Sequence, residues 1–200
     1  MTHLPDAVTR TSACGTVTVH IGRDGAARVR LAPTADHLGM RALAELVTRT
    51  SREAADAVHR RASDEGAFPA SAVRERFPHL PGGVDAFPGG EDCTGSAVSA
   101  DGGVAVDATV EYPIARVLLT PRAMDFGPVV LGDELTLTAA RAAADLDEQR
   151  REGIRRLAMS LGSVGRRFAL EWEDRDRDDQ EVVHLRDQLD GLTRRRGAGR

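Results

Sequence analysis

Hydrophobic residues change their spacing along this chain, and each change marks an element. Val17, Val19 and Ile21 alternate with Thr18 and His20, the period-two pattern of a strand with one buried face. Gly22-Arg23-Asp24-Gly25 supplies turn chemistry, since glycine takes positive φ freely and Asp-Gly favours a tight reversal. Ala27, Val29 and Leu31 resume the alternation until Pro33 ends it, so residues 17–31 read as a β-hairpin. Residues 1–12 read as a polar lead-in. From about Met40 to Ala62 the period becomes helical: Leu43, Leu46, Val47, Thr50, Ala54, Ala57 and Val58 share one arc. The opposite arc carries Arg41, Glu45, Arg49, Arg52, Glu53, Asp56 and Arg60, whose i,i+4 sign alternation marks a solvated, ion-paired face.

The pattern then lapses and starts again. Residues 63–93 are broken by Phe68-Pro69, Phe77-Pro78, Leu80-Pro81-Gly82-Gly83 and Phe87-Pro88-Gly89-Gly90, and read as a linker with room for one short helix at 70–77. Gly95–Ser99, Val104–Val110 and Ile114–Leu119 read as strands, with a turn at 100–103 and a stop at Pro121. A helix opens at Gly127-Pro128, where proline suits the first turn. Leu131, Leu135, Ala142 and Leu146 form its buried stripe, and Ile154, Leu157 and Leu161 prolong it to a break at 162–165. Residues 166–173 read as a further short helix and 173–181 as a charge run. Val182, Leu185, Leu189 and Leu192 make a two-heptad apolar seam, for docking on the body or on another chain.

The second set of elements repeats the first. Shifted by 88 positions, residues 27–59 fall on 115–147 without a gap. Arg28, Val29, Leu31, Pro33, Ala35, Gly39, Leu43 and Thr48 meet Arg116, Val117, Leu119, Pro121, Ala123, Gly127, Leu131 and Thr136, and the same shift sets Gly15 on Gly103. The expected organisation is a first unit at 1–62, the linker at 63–93, a second unit with an extended helix at 94–165, and C-terminal helices with a basic tail at 166–200. The fold class is α+β.

Composition narrows the chemistry. The chain has 200 residues and a net charge of -4, so it is not a globally basic nucleic-acid binder. All 27 cations are arginine, each able to hold carboxylate or phosphate through two parallel hydrogen bonds. No leader pattern opens the chain and no apolar run reaches the roughly 20 residues that span a bilayer, so a cytoplasmic location is expected. Cys14 and Cys93 read as free thiols in a reducing compartment.

The six histidines are scattered without metal-ligand spacing, and no metal or cofactor is expected. No nucleophile elbow, Cys-His arrangement or P-loop lysine occurs, and Glu171 and Glu173 open a solvated charge run, so the chain reads as a non-enzyme. Cationic candidates for phosphate binding are Arg141, Arg150, Arg151, Arg155 and Arg156 on the second long helix, Arg166 and Arg167 beyond it, and Arg194, Arg195 and Arg196 in the tail. Glu148 and Glu152 dilute the helix cluster, which also fits an ion-paired solvent face.

Each copy resembles the unit of the YbaB/EbfC family of bacterial nucleoid-associated proteins. The resemblance rests on Gly15-Thr16-Val17-Thr18-Val19, Gly25, Val29-Arg30-Leu31-Ala32-Pro33, and the lead into the helix, present twice as Pro33/Ala35/Gly39/Leu43 and Pro121/Ala123/Gly127/Leu131. Ala54-Ala55 and Ala142-Ala143 also look like the family's helix. It covers roughly residues 12–62 and 94–150. The family forms homodimers of one unit per chain, so two units in one chain imply an intramolecular pseudo-dimer. They also imply DNA binding with little sequence preference. The family's leading helix has no counterpart before either copy, and the resemblance carries over no site residue. The competing expectation is a protein-interaction scaffold that keeps the fold without binding DNA, with residues 182–192 as a contact seam.

Overall fold

A computed structural model of the protein describes residues 7–22, 24–64 and 93–160. The short helices expected at 70–77 and 166–173, the break at 162–165, the seam at 182–192 and the basic tail lie outside these residues. The fold is α+β: two three-stranded antiparallel sheets and two long helices. The first sheet has strand order β1 (Val8–Thr11), β2 (Val17–Ile21), β3 (Ala27–Leu31). A 3-10 turn at Pro33–His37 leads into α1 (Met40–Asp64). The second sheet has order β4 (Thr94–Val98), β5 (Val104–Thr109), β6 (Arg116–Leu119). The short α2 (Pro121–Met124) and the long α3 (Gly127–Ser160) follow.

The alternation works as the sequence implies. Val17, Val19, Ile21, Ala27, Val29 and Leu31 face inward and are buried, while Arg28 and Arg30 face outward. On the helices Leu43, Val47, Ala54, Leu135 and Ala142 have no exposed surface. One continuous core collects inward residues from both sheets and both long helices.

Two sequence expectations are corrected. Residues 8–11 are a strand, not a polar lead-in: only Val8 is buried, and an edge strand with one covered end shows no alternation of apolar residues. The repeat also carries a one-residue insertion. Ser12 and Ser99 are built alike. Each Oγ accepts the N–H of the valine that opens the next strand, Val17 at 3.0 Å and Val104 at 2.9 Å. Each carbonyl accepts a glycine N–H, from Gly15 (2.8 Å) and Gly102 (2.9 Å), and both glycines are left-handed. Gly15 therefore corresponds to Gly102, not Gly103. The step is 87 through the second strand and 88 from the third onward. The extra residue lies in the longer connection between β5 and β6, where Ile114 is fully buried and β6 begins only at Arg116.

The helices cross between the sheets. α1 packs on β1 and β2 and also on β6. Its Arg52 Nη2 donates to the Ala115 carbonyl at 2.9 Å and its guanidinium stands 5.6 Å from the Tyr112 ring centre. α3 packs on β4, where Gly95 lies against the backbone of Ala142 and Leu146, and also on the outer edge of β3. There Thr136 Oγ1 accepts the Val29 N–H at 2.9 Å and donates to the Gly132 carbonyl at 2.9 Å. Each long helix thus touches its own sheet and the third strand of the other.

Candidate functional site

The outward faces of the two sheets have the same layout and different chemistry. Strand pairing sets residues into cross-strand rows, because side chains alternate faces with period two. On the first sheet the rows are Thr9–His20–Arg28 and Thr11–Thr18–Arg30. Both arginines are exposed. Thr9 Oγ1 lies 3.0 Å from His20 Nδ1, and the hydroxyls of Thr11 and Thr18 lie 3.1 Å apart. Neither row contains a carboxylate. The result is a strip of hydroxyl, imidazole and guanidinium groups on a chain of net charge -4.

On the second sheet the matching rows are Ser96–Asp107–Arg116 and Val98–Ala105–Leu118. Asp107 stands where the first sheet has His20. Its Oδ2 accepts from Arg116 Nε at 2.7 Å and its Oδ1 from Ser96 Oγ at 2.8 Å, so the arginine of this row is held in an ion pair. The other row is apolar, with Val98 59% and Leu118 53% exposed.

A second open feature lies between α1 and β6: a groove of about 760 Å³ lined by Ala44, Thr48, Arg49, Arg52, Val117 and Leu119 among others. Its counterpart between α3 and β3 is closed. Gly132 contributes to the close approach there, since a Cβ on it would sit 3.1 Å from the Val29 carbonyl oxygen. The matching residue of α1 is Ala44, which carries that Cβ. The closed contact has Thr136 on the Val29 amide, whereas Thr48 makes no such bond to Val117 among the described residues.

The helix arginines expected to bind phosphate are placed less favourably. Arg141 is exposed. Arg150 is half-buried, with Nη1 4.0 Å from Asp147 Oδ1. Arg151, Arg155 and Arg156 each have an interaction partner, as do Glu148 and Glu152. Arg166, Arg167, Arg194, Arg195 and Arg196 lie outside the described residues. Arg28 and Arg30 are legible in the sequence as outward positions of a strand, but two isolated arginines make a weaker charge signal than the clusters on the helix.

Other chemistry is sparse. Among the described residues no group of three or more His, Cys, Asp or Glu side chains is placed to hold a metal ion. Cys14 and Cys93 are free. The hydrogen bond from Ser12 lowers the exposed Cys14 thiol to about 7. Asp101 is held below the usual carboxylate range first by the Ser99 hydroxyl at 2.6 Å and then by the Gly103 N–H. Tyr112 is raised, chiefly by the charge of Asp56. No described helix is long and apolar enough to cross a membrane.

These features define a class, an α+β protein of two three-stranded antiparallel sheets whose long helices are shared between them. No protein-family model, curated protein or solved structure matches the chain.

Proposed function

We propose that this chain is a two-copy relative of the YbaB/EbfC nucleoid-associated proteins, folded as an intramolecular pseudo-dimer, that binds duplex DNA in the cytoplasm with little sequence preference. The twice-used Pro-Ala-Gly-Leu lead into each helix and the sharing of each long helix with the other sheet support the pseudo-dimer. The observation that carries the nucleic-acid reading is the carboxylate-free strip of Arg28, Arg30, His20 and threonine hydroxyls on an otherwise acidic chain. Arginine and hydroxyl groups are the usual partners of backbone phosphates, which position a protein on DNA without reading sequence. The mechanism asks only for surface cations and involves no catalysis.

The test is a fluorescence-anisotropy titration of a random-sequence duplex at several salt concentrations. Saturable binding that weakens steeply as salt rises is expected, because each neutralised phosphate releases counterions. No binding at low salt would end the DNA reading. It would favour the second reading, a protein-interaction module docking through the exposed Val98–Ala105–Leu118 row of the second sheet.

A further inference from the structure

We infer that the two copies are unequal in DNA binding: the phosphate backbone lies across the outer face of the first sheet, on Arg28 and Arg30, and not across the matching face of the second. This inference rests on the DNA reading above and adds where the duplex sits. The argument is a comparison of two like-shaped surfaces within one molecule. Arg28 and Arg116 occupy corresponding positions on the third strand of each sheet, and both point outward. Arg28 shares its row with His20, and Arg116 shares its row with Asp107. A carboxylate 2.7 Å from Arg116 Nε offsets its charge and occupies one of its five N–H donors. A phosphate approaching there would have to displace Asp107 or meet it as a like charge.

The next row separates the copies further. Arg30, beside Thr18 and Thr11, corresponds to Leu118, beside Ala105 and Val98. One row offers a guanidinium and two hydroxyls, and the other offers only apolar surface. Arg28 and Arg30 are two residues apart on one strand face, roughly 6.6 Å at the usual strand rise, a step suited to neighbouring phosphates of one DNA strand. The backbone under them is fixed. The Val29 amide between them is held by Thr136 of α3, so the strand that presents both arginines is anchored against the core. Neither arginine forms an ion pair among the described residues, so both reach phosphate there without first breaking one.

The experiment compares three variants with the full chain in the same titration. Arg28→Gln with Arg30→Gln should weaken binding at least about tenfold at moderate salt and lower the slope of log affinity against log salt by about 2, near 0.9 for each lost phosphate contact. Arg116→Gln should leave affinity and slope unchanged. Asp107→Asn should tighten binding by freeing Arg116. Arg28, Arg30 and Arg116 are exposed, and circular dichroism with thermal melting checks that each variant folds. Should the double variant lose its fold, Arg28→Lys with Arg30→Lys keeps the charge and should retain most of the slope. An unchanged slope in the double glutamine variant, or an equal loss in Arg116→Gln, would overturn the inference while leaving DNA binding standing. A wild-type chain that fails to bind would remove the functional reading itself, and with it this one.

Discussion

At the scale of single residues, small hydroxyl side chains carry much of the specification. Ser12 and Ser99 each close a turn by accepting a buried strand amide, so the turn keeps its shape although its flanking sequences differ. Thr138 is the opposite case. It is fully buried on α3 and its Oγ1 has no hydrogen-bond partner among the described residues. Thr50, its counterpart on α1, donates to the Leu46 carbonyl at 2.8 Å. An unpaired buried hydroxyl costs roughly 1–3 kcal/mol, so Thr138→Val, which keeps the shape, should stabilise the protein by about 1 kcal/mol. A chemical-denaturation midpoint reads this directly, and a lower midpoint would show that the hydroxyl has a partner in solution. Such details are hidden in a sequence, because serine and threonine at these positions look like ordinary turn and helix residues.

At the scale of elements, close approaches set how helices meet sheets. Gly95 is buried in β4 with α3 directly against it, and a Cβ there would overlap the Ala142 carbonyl oxygen and the Leu146 backbone. Nothing flexible can yield, since the obstacles are helix backbone. Gly95→Ala should therefore cost about 2 kcal/mol or more through overpacking. It should also free the bond from the Ser96 amide to Asp145, now 2.9 Å. Calorimetry tests the first and amide exchange at Ser96 the second; an unchanged melting temperature would mean that α3 stands further from β4. The existence of the hairpin strands and both long helices was legible because alternation and helical spacing are strong signals over such lengths. β1 was not, since a four-residue edge strand with a single buried valine leaves almost no periodic trace. The insertion between β5 and β6 was also missed, because the ungapped match begins just after it.

At the scale of the molecule, the sharing of helices predicts joint stability. One core contains Val19 from the first sheet, Val106 from the second, and Leu43 and Leu135 from the two long helices. A cavity from Leu135→Ala should cost about 2–5 kcal/mol. It should reduce hydrogen-exchange protection of the Val19 and Val106 amides together, because the two copies cannot open separately without exposing the same core. Loss of protection at Val106 alone would show two independent units. The closed edge of β3 and the open groove beside β6 belong to this scale as well. At the closed edge α3 carries Gly132, whose missing Cβ would stand 3.1 Å from the Val29 carbonyl oxygen, and at the open one α1 carries Ala44.

By itself the sequence determined the α+β class and most inward positions of the hairpin strands and long helices among the described residues, because these follow from periodicity and turn chemistry that act over a few neighbouring positions. Only the tertiary structure decided that each helix reaches the other sheet, and that Arg28 stands beside His20 while Arg116 stands beside Asp107. Those relations depend on strand register and helix approach between residues far apart in the chain. A match of Arg28 to Arg116 in the repeat gives no hint that one is an exposed cation and the other half of an ion pair.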